Sequence, residues 1–162
     1  MPTIKLTDKA KNDPAKKPRI VFDTNALLSA LILPASISGK AWRIGLSEFE
    51  VITSAQTMEE FERKSSKSSL QKYFASEAER VEVMISMNRS MLYVEVESVI
   101  KDCKADPADD KFLELALDGK AVVIVSGDPD LKMLNPWRNI AILGTGDFVR
   151  ACEAGIFLVN NT

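Results

Sequence analysis

Histidine is absent from the 162 residues, and this one gap removes much of the usual hydrolytic machinery. Without an imidazole there is no His general base, no Ser-His-Asp triad and no His metal ligand. Cysteine is scarce as well. Cys103 and Cys152 lie far apart with no C-x-x-C pair, which argues against a zinc site or a disulfide framework and makes a reducing cytoplasm the expected compartment. No apolar run is long enough to cross a bilayer. The N-terminus is polar and lacks the apolar centre of a signal peptide, so neither secretion nor a membrane partner is expected. Any hydrolytic chemistry must rest on carboxylates, lysines, hydroxyls or a metal held by oxygen.

What is present fits one soluble α/β domain. A hydrophobic fraction of 46% is ordinary for a chain with a sizeable core. The net charge of −2 hides an asymmetry. Residues 1–19 carry six Lys/Arg and two Asp, and the remainder carries fifteen Lys/Arg and twenty-one Asp/Glu. The chain divides into a flexible lysine-rich leader over 1–18, a folded domain over 19–155 and a short tail over 156–162. The leader reads as a solvated tail or as an arm that touches phosphates.

Two short apolar runs end in acids. Arg19-Ile20-Val21-Phe22 leads into Asp23-Thr24-Asn25, and Ala121-Val122-Val123-Ile124-Val125 leads into Ser126-Gly127-Asp128. Each reads as a buried strand delivering a carboxylate. In a parallel sheet ligands bind beyond the carboxyl ends of the strands, so neighbouring strands here would bring Asp23 and Asp128 together.

Between and around these runs strands alternate with helices, which implies a parallel sheet covered on both faces. Further strands are predicted at 49–52, 91–96 and 139–143. Helices are predicted over 26–33, stopped by Pro34, and then from Ser36 or Ser38 through Leu46, with Ala41, Trp42 and Leu46 facing inward. Thr53-Ser54-Ala55-Gln56 has capping-box spacing and starts the next helix, which dissolves into a mobile connector at 64–69. A long helix follows over 70–89. Asp106-Pro107 breaks the chain before a helix at 109–118 that Gly119 terminates. A short helix opens at Asp128-Pro129, and Thr145 caps the last helix through Ala154.

The acids carry two readings each. Asp23 is a site carboxylate or a helix N-cap, and Asp128, followed by Pro129, has the same choice. Asp130 stabilises a first turn through the helix dipole. Around the helix at 109–118, Phe112, Leu113, Ala116 and Leu117 form a stripe with Asp109 near its middle and Asp110 at its edge. An acid on an apolar face needs a partner or a cation, so Asp109 is the more informative of the two. Glu59 and Glu60 are equally far from the apolar stripe of their helix, and phase does not choose between them. Carboxylates that cluster raise one another's pKa. A divalent cation relieves that repulsion, and all-oxygen ligands suit Mg²⁺ or Mn²⁺.

In order, the motifs Ile20 to Asn25, Ser54 with Glu60-Phe61 six residues on, Asp106 to Ala116, and Val125 to Leu131 resemble the PIN domain. More narrowly they resemble PIN-family toxins of toxin–antitoxin pairs. The resemblance spans roughly residues 18–150. It implies a three-layer α/β/α fold with a central parallel sheet and a Mg²⁺- or Mn²⁺-dependent endoribonuclease acting on single-stranded RNA. By motif, Asp23, Glu60, Asp109 and Asp128 match the catalytic, metal-binding acids, which selects Glu60 over Glu59. Asn25 and Ser126 match supporting polar positions; the family commonly has Thr where this chain has Ser126. It further implies an antitoxin partner and a homodimer.

An acidic cleft needs cations at its rim to attract phosphates. Lys40, Arg43, Lys64 and Lys67 are the candidates, each also readable as part of a solvated face. Two other readings stay open. One is a non-catalytic PIN-fold module that binds RNA or protein. The other is a phosphatase using Asp23 as nucleophile, but Asn25 stands where a haloacid-dehalogenase-like Asp-x-Asp motif needs its second acid.

Overall fold

The apolar runs become strands because both of their faces are covered. Ile20, Phe22, Val51, Val123, Val125 and Ala141 point to one side of the sheet, while Val21, Ile52, Ile124 and Ile142 point to the other. This is the period-two alternation of a strand with apolar cover on each face. The computed structural model describes residues 17–156, so the leader at 1–16 and the tail from 157 lie outside the described residues. Strands β1 (Arg19–Phe22), β2 (Glu50–Thr53), β3 (Leu92–Tyr93), β4 (Val123–Val125) and β5 (Ala141–Leu143) form one sheet in the order β3-β2-β1-β4-β5. All four pairings are parallel.

The described helices are α1 (Thr24–Ile32), α2 (Ile37–Glu48), α3 (Ala55–Ser65), α4 (Glu77–Arg89), α5 (Asp110–Asp118), α6 (Pro129–Lys132) and α7 (Thr145–Glu153). Leu27, Ala41, Phe61, Met87 and Phe148 from α1, α2, α3, α4 and α7 cover one face. Phe112, Leu113, Leu115 and Leu131 from α5 and α6 cover the other. The result is the expected three-layer α/β/α architecture. The chain steps outward from β1 to β2 and β3, then returns past β1 to β4 and β5. That reversal puts a topological switch point between β1 and β4, where the carboxyl ends open a crevice.

Several boundaries differ from expectation, each for a local reason. The helix expected over 70–89 begins only at Glu77. Ser76 caps it by accepting the Glu79 N–H, and Ser68–Tyr73 form a separate 3₁₀ turn. The connector before that turn is anchored at Ser65, which is fully buried and accepts a hydrogen bond from Arg80 at 2.9 Å. The capping box of α3 uses Ser54 and Thr57, one position later than Thr53 and Gln56. Gly144, rather than Thr145, is the N-cap of α7. Leu46 is exposed, and buried Gly45 sits against β1 in its place.

Strand β3 has two residues instead of six because a helix competes for the backbone that follows it. Asp110, Glu114 and Asp118 recur every four residues, one face of α5. Asp118 accepts the N–H groups of Glu97 and Ser98 at 2.7 and 2.8 Å, Glu114 that of Ile100 at 3.3 Å, and Asp110 that of Cys103 at 2.8 Å. These carboxylates dock the segment after β3 as extended, non-sheet chain. Gly119 ends α5 at φ −81°, and Lys120 takes the positive φ. What Gly119 supplies is space, since a Cβ there would stand 2.2 Å from Ile52 Cδ1.

Phe61 is fully buried and directly follows Glu60, so it anchors the turn of α3 that carries that acid. Phe61→Ala should lower unfolding free energy by about 3–5 kcal/mol, measured by urea denaturation. An unchanged midpoint would mean that Glu60 is held by something else.

Candidate functional site

The crevice at the switch point is built by the strand ends themselves. The Asp23 N–H donates to the Val125 carbonyl at 3.0 Å and so extends the β1–β4 ladder by one step. This sets Asp23 beside Ser126, whose hydroxyl donates to Asp23 Oδ2 at 2.5 Å. Asp23 is also the N-cap of α1 and accepts the Ala26 N–H at 2.8 Å. The capping reading of Asp23 holds, and its two oxygens are divided, one to the α1 cap and one to Ser126. Asp128 likewise caps α6, accepting the Asp130 N–H at 2.9 Å, and its own N–H donates to the Ser126 hydroxyl oxygen. Ser126 is fully buried and ties the two acid-bearing strand ends together.

Asp109 arrives from the 3₁₀ turn Pro107–Asp109 that precedes α5. The phase argument assumes α-helical geometry that does not extend to this residue. Asp110, placed by phase at the edge of the stripe, is the one buried against the segment after β3. Asp109 instead joins Asp128 and Asp106, and one carboxylate oxygen from each lies within 4.8 Å of the others. In sequence Asp106 reads only as a chain breaker. It is also the cap of this turn, accepting the Ala108 N–H, and only the fold shows that it faces Asp128. Asp109 Oδ2 is buried and accepts no hydrogen bond from a donor group among the described residues, and the side chain that Asp109 meets is another carboxyl, that of Asp128. A buried oxygen in that state is expensive. The carboxylates of Asp106, Asp109 and Asp128 together form an all-oxygen donor set, and that set fits a hard divalent cation.

Glu60 is near but differently engaged. It is buried, its Oε1 pairs with Lys64 Nζ at 2.8 Å, and its Oε2 pairs with Lys111 Nζ. Lys111 also donates to the Ala108 carbonyl at 2.7 Å and lies over the Phe112 ring. Lys111 is not among the residues that the sequence singles out; its place directly after Asp109-Asp110 is the available signal. Glu60 thus stands outside the Asp106–Asp109–Asp128 triad, neutralised by two ammonium groups. Asn25 is exposed in the first turn of α1, while the neighbouring Thr24 is buried with its hydroxyl unpartnered among the described residues.

Of the expected rim cations, the structure brings only Lys64 into the site. Lys67 is exposed just beyond α3 and makes no ion pair among the described residues. Lys40 pairs with Glu153 at 2.6 Å and Arg43 donates to the Pro34 carbonyl at 2.7 Å. Glu153 ends α7 and Pro34 follows α1. Both helices begin at the carboxyl edge of the sheet, so their far ends lie about 13 Å away along the helix axis. Lys40 and Arg43 are therefore corrected to the far side of the domain.

The electrostatics follow from this packing. Burial pushes the Asp23 carboxyl above its ordinary range against the lowering effect of Ser126 and the Ala26 N–H, and the charges of Asp128 and Glu60 push it further. Burial also raises Glu60, but Lys111 and Lys64 outweigh it and hold that carboxyl below its usual range. Asp109 is pushed up to about 7 by burial and by its neighbours Asp128 and Asp106, with Lys111 opposing.

A parallel α/β domain with carboxylates gathered at its switch point offers oxygen ligands for a divalent cation. The model of the PIN domain family matches residues 19–130, and the chain belongs to that family. PIN domains are generally nucleases and typically use divalent metals. An uncharacterized protein of Methanocaldococcus jannaschii is 31% identical over 116 residues, covering 71% of this chain and 74% of that protein. Among the described residues no helix is long and apolar enough to cross a membrane.

Because Asp109 in the folded state holds its proton up to about pH 7, while an unfolded Asp releases it near 3.8, the folded state is favoured by this group at low pH. That contribution is fully present below pH ~3.8 and is lost as pH rises through ~7. In chelator, the melting temperature of the wild type relative to Asp109→Asn should therefore fall between these limits. A difference that is flat with pH would contradict the placement of Asp109.

Proposed function

We infer that this chain is a Mg²⁺- or Mn²⁺-dependent endoribonuclease that hydrolyses single-stranded RNA. The observation that carries the reading is the gathering of one carboxylate oxygen each from Asp106, Asp109 and Asp128 within 4.8 Å, at a switch point completed by Asp23. Asp106, Asp109 and Asp128 would hold the cation, with Asp23 beside them. When bound, such a cation acidifies a water and stabilises charge on a phosphoryl group. Ser126 fixes the rotamer of Asp23 and the approach of the Asp128 loop. Lys111 and Lys64 keep Glu60 ionised at the edge of the crevice. In the reaction a water oxygen bonds to phosphorus as the bond to the leaving ribose oxygen breaks, and the proton released by the water offsets the one taken by that oxygen. Unstacked single-stranded RNA suits the crevice because its backbone can bend into it.

The narrower reading is that of a cytoplasmic toxin of a toxin–antitoxin pair, acting as a homodimer and blocked by an antitoxin over the crevice. It is supported by the order of the four acidic motifs and by their likeness to that group. One observation favours a second reading, a non-catalytic PIN module that binds RNA or protein: both oxygens of Glu60 are already occupied by lysines.

Cleavage of end-labelled single-stranded RNA by the full chain separates the readings. Cutting is expected with Mn²⁺ or Mg²⁺ and none with chelator. Asp23→Asn should slow it by about 10³-fold, since several kcal/mol of charge stabilisation at ~1.4 kcal/mol per tenfold is at stake. Cutting by Asp23→Asn at the wild-type rate would overturn the assignment.

A further inference from the structure

Beside the carboxylate triad lies a cavity of about 610 Å³, within the ~300–1,000 Å³ range of ligand sites. It shares a wall with the triad: Pro107 and Ala108 belong to the turn that carries Asp109, and Lys111 contacts Glu60 on one side while lining the cavity on the other.

The charges that line this cavity differ in exposure. Its acids, Asp110 and Glu114, are buried and half-buried, and one oxygen of each is turned to a backbone N–H, that of Cys103 and of Ile100. Its remaining lysines, Lys101 and Lys104, are exposed and make no ion pair among the described residues. Lys101 and Lys104 sit on the segment that the α5 carboxylates dock, so their backbone is fixed while their ammonium groups are free. Between them and β3, Val99 is 75% exposed and offers an apolar surface beside the amide of Gln56. Free cations suit phosphates, an apolar face suits the flat of a base and an amide suits a base edge, a combination that a nucleotide uses whole and a simple anion or a purely apolar ligand uses only in part.

We propose that this cavity is a strand-binding subsite, in which Lys101 and Lys104 hold phosphates of single-stranded RNA next to the bond presented to the carboxylates, with a base resting against Val99 and Gln56. The proposal rests on the ribonuclease reading for the identity of the strand, and it moves the cation-lined approach from Lys40 and Arg43 to this segment.

The test uses the full chain carrying Asp23→Asn, with Mg²⁺ and a short fluorescein-labelled single-stranded RNA, and follows anisotropy against salt. Adding Lys101→Ala and Lys104→Ala should weaken binding and flatten the slope of log affinity against log salt by about 1.4, at ~0.7 for each phosphate no longer neutralised. Lys40→Ala with Arg43→Ala removes the same charge from the far side and should leave the slope unchanged. In the otherwise wild-type chain, the Lys101/Lys104 double variant should raise KM with kcat retained. A slope that does not change, or that changes equally in both double variants, overturns the subsite even if the RNA is cut. Lysine-dependent binding without any cutting upholds the subsite and instead removes the nuclease reading.

Discussion

Parallel pairing of β1 with β4 forces carboxylates into one crevice, and the rest of the site consists of ways to relieve their repulsion. Asp23 is relieved by hydrogen bonds from Ser126 and the Ala26 N–H. Glu60 is relieved by two lysines. Asp109 has only the charge of Lys111 to oppose its neighbours, and its carboxyl rises to about 7. Like charges at close range cannot all stay ionised unless a counter-charge is supplied. The domain supplies it to Glu60, in part to Asp23, and leaves the Asp106–Asp109–Asp128 end open. A polar site left incomplete in this way is where an external cation has the most to contribute.

The same helix serves both fold and site. The N-terminal approach of α5 carries Asp106, Asp109 and Lys111, and the body of α5 uses Asp110, Glu114 and Asp118 to dock the chain after β3. Acids near each other in sequence thus have separate roles: those on the turn gather at the crevice, while those spaced by four residues collect backbone N–H groups. The docking stripe also holds the backbone of Lys101 and Lys104 in place, which sets two unpaired ammonium groups beside an acidic centre.

Much of this is legible in the sequence, and the reasons differ by residue. The runs Ile20 to Phe22 and Val123 to Val125 are fully buried, so composition alone marks them as strands, and the acids that follow mark the crevice. Helical phase selects Asp109 but does not hold there, since the residue lies on a 3₁₀ turn; its place in the cluster comes from that turn. Asp106 and Lys111 are not legible as site residues because their roles depend on partners, Asp128 and Glu60, that are distant in sequence. Lys40 and Arg43 fail for the converse reason: charge and exposure can be read from a sequence, but the end of the sheet to which a helix carries them cannot. Ser76-Glu77-Ala78-Glu79 holds the true start of α4 in plain view, masked by the apolar spacing of Tyr73 and Phe74.

Metal binding tests the central claim most directly. Titration calorimetry of the full chain with Mn²⁺ should show saturable binding that Asp109→Asn or Asp128→Asn each weakens by more than about tenfold, a loss that even an outer partner of a metal ligand can produce. Glu59→Gln, an exposed acid on α3, should leave that binding unchanged. Equal affinity in all four proteins, or no saturable binding in any, would contradict the account.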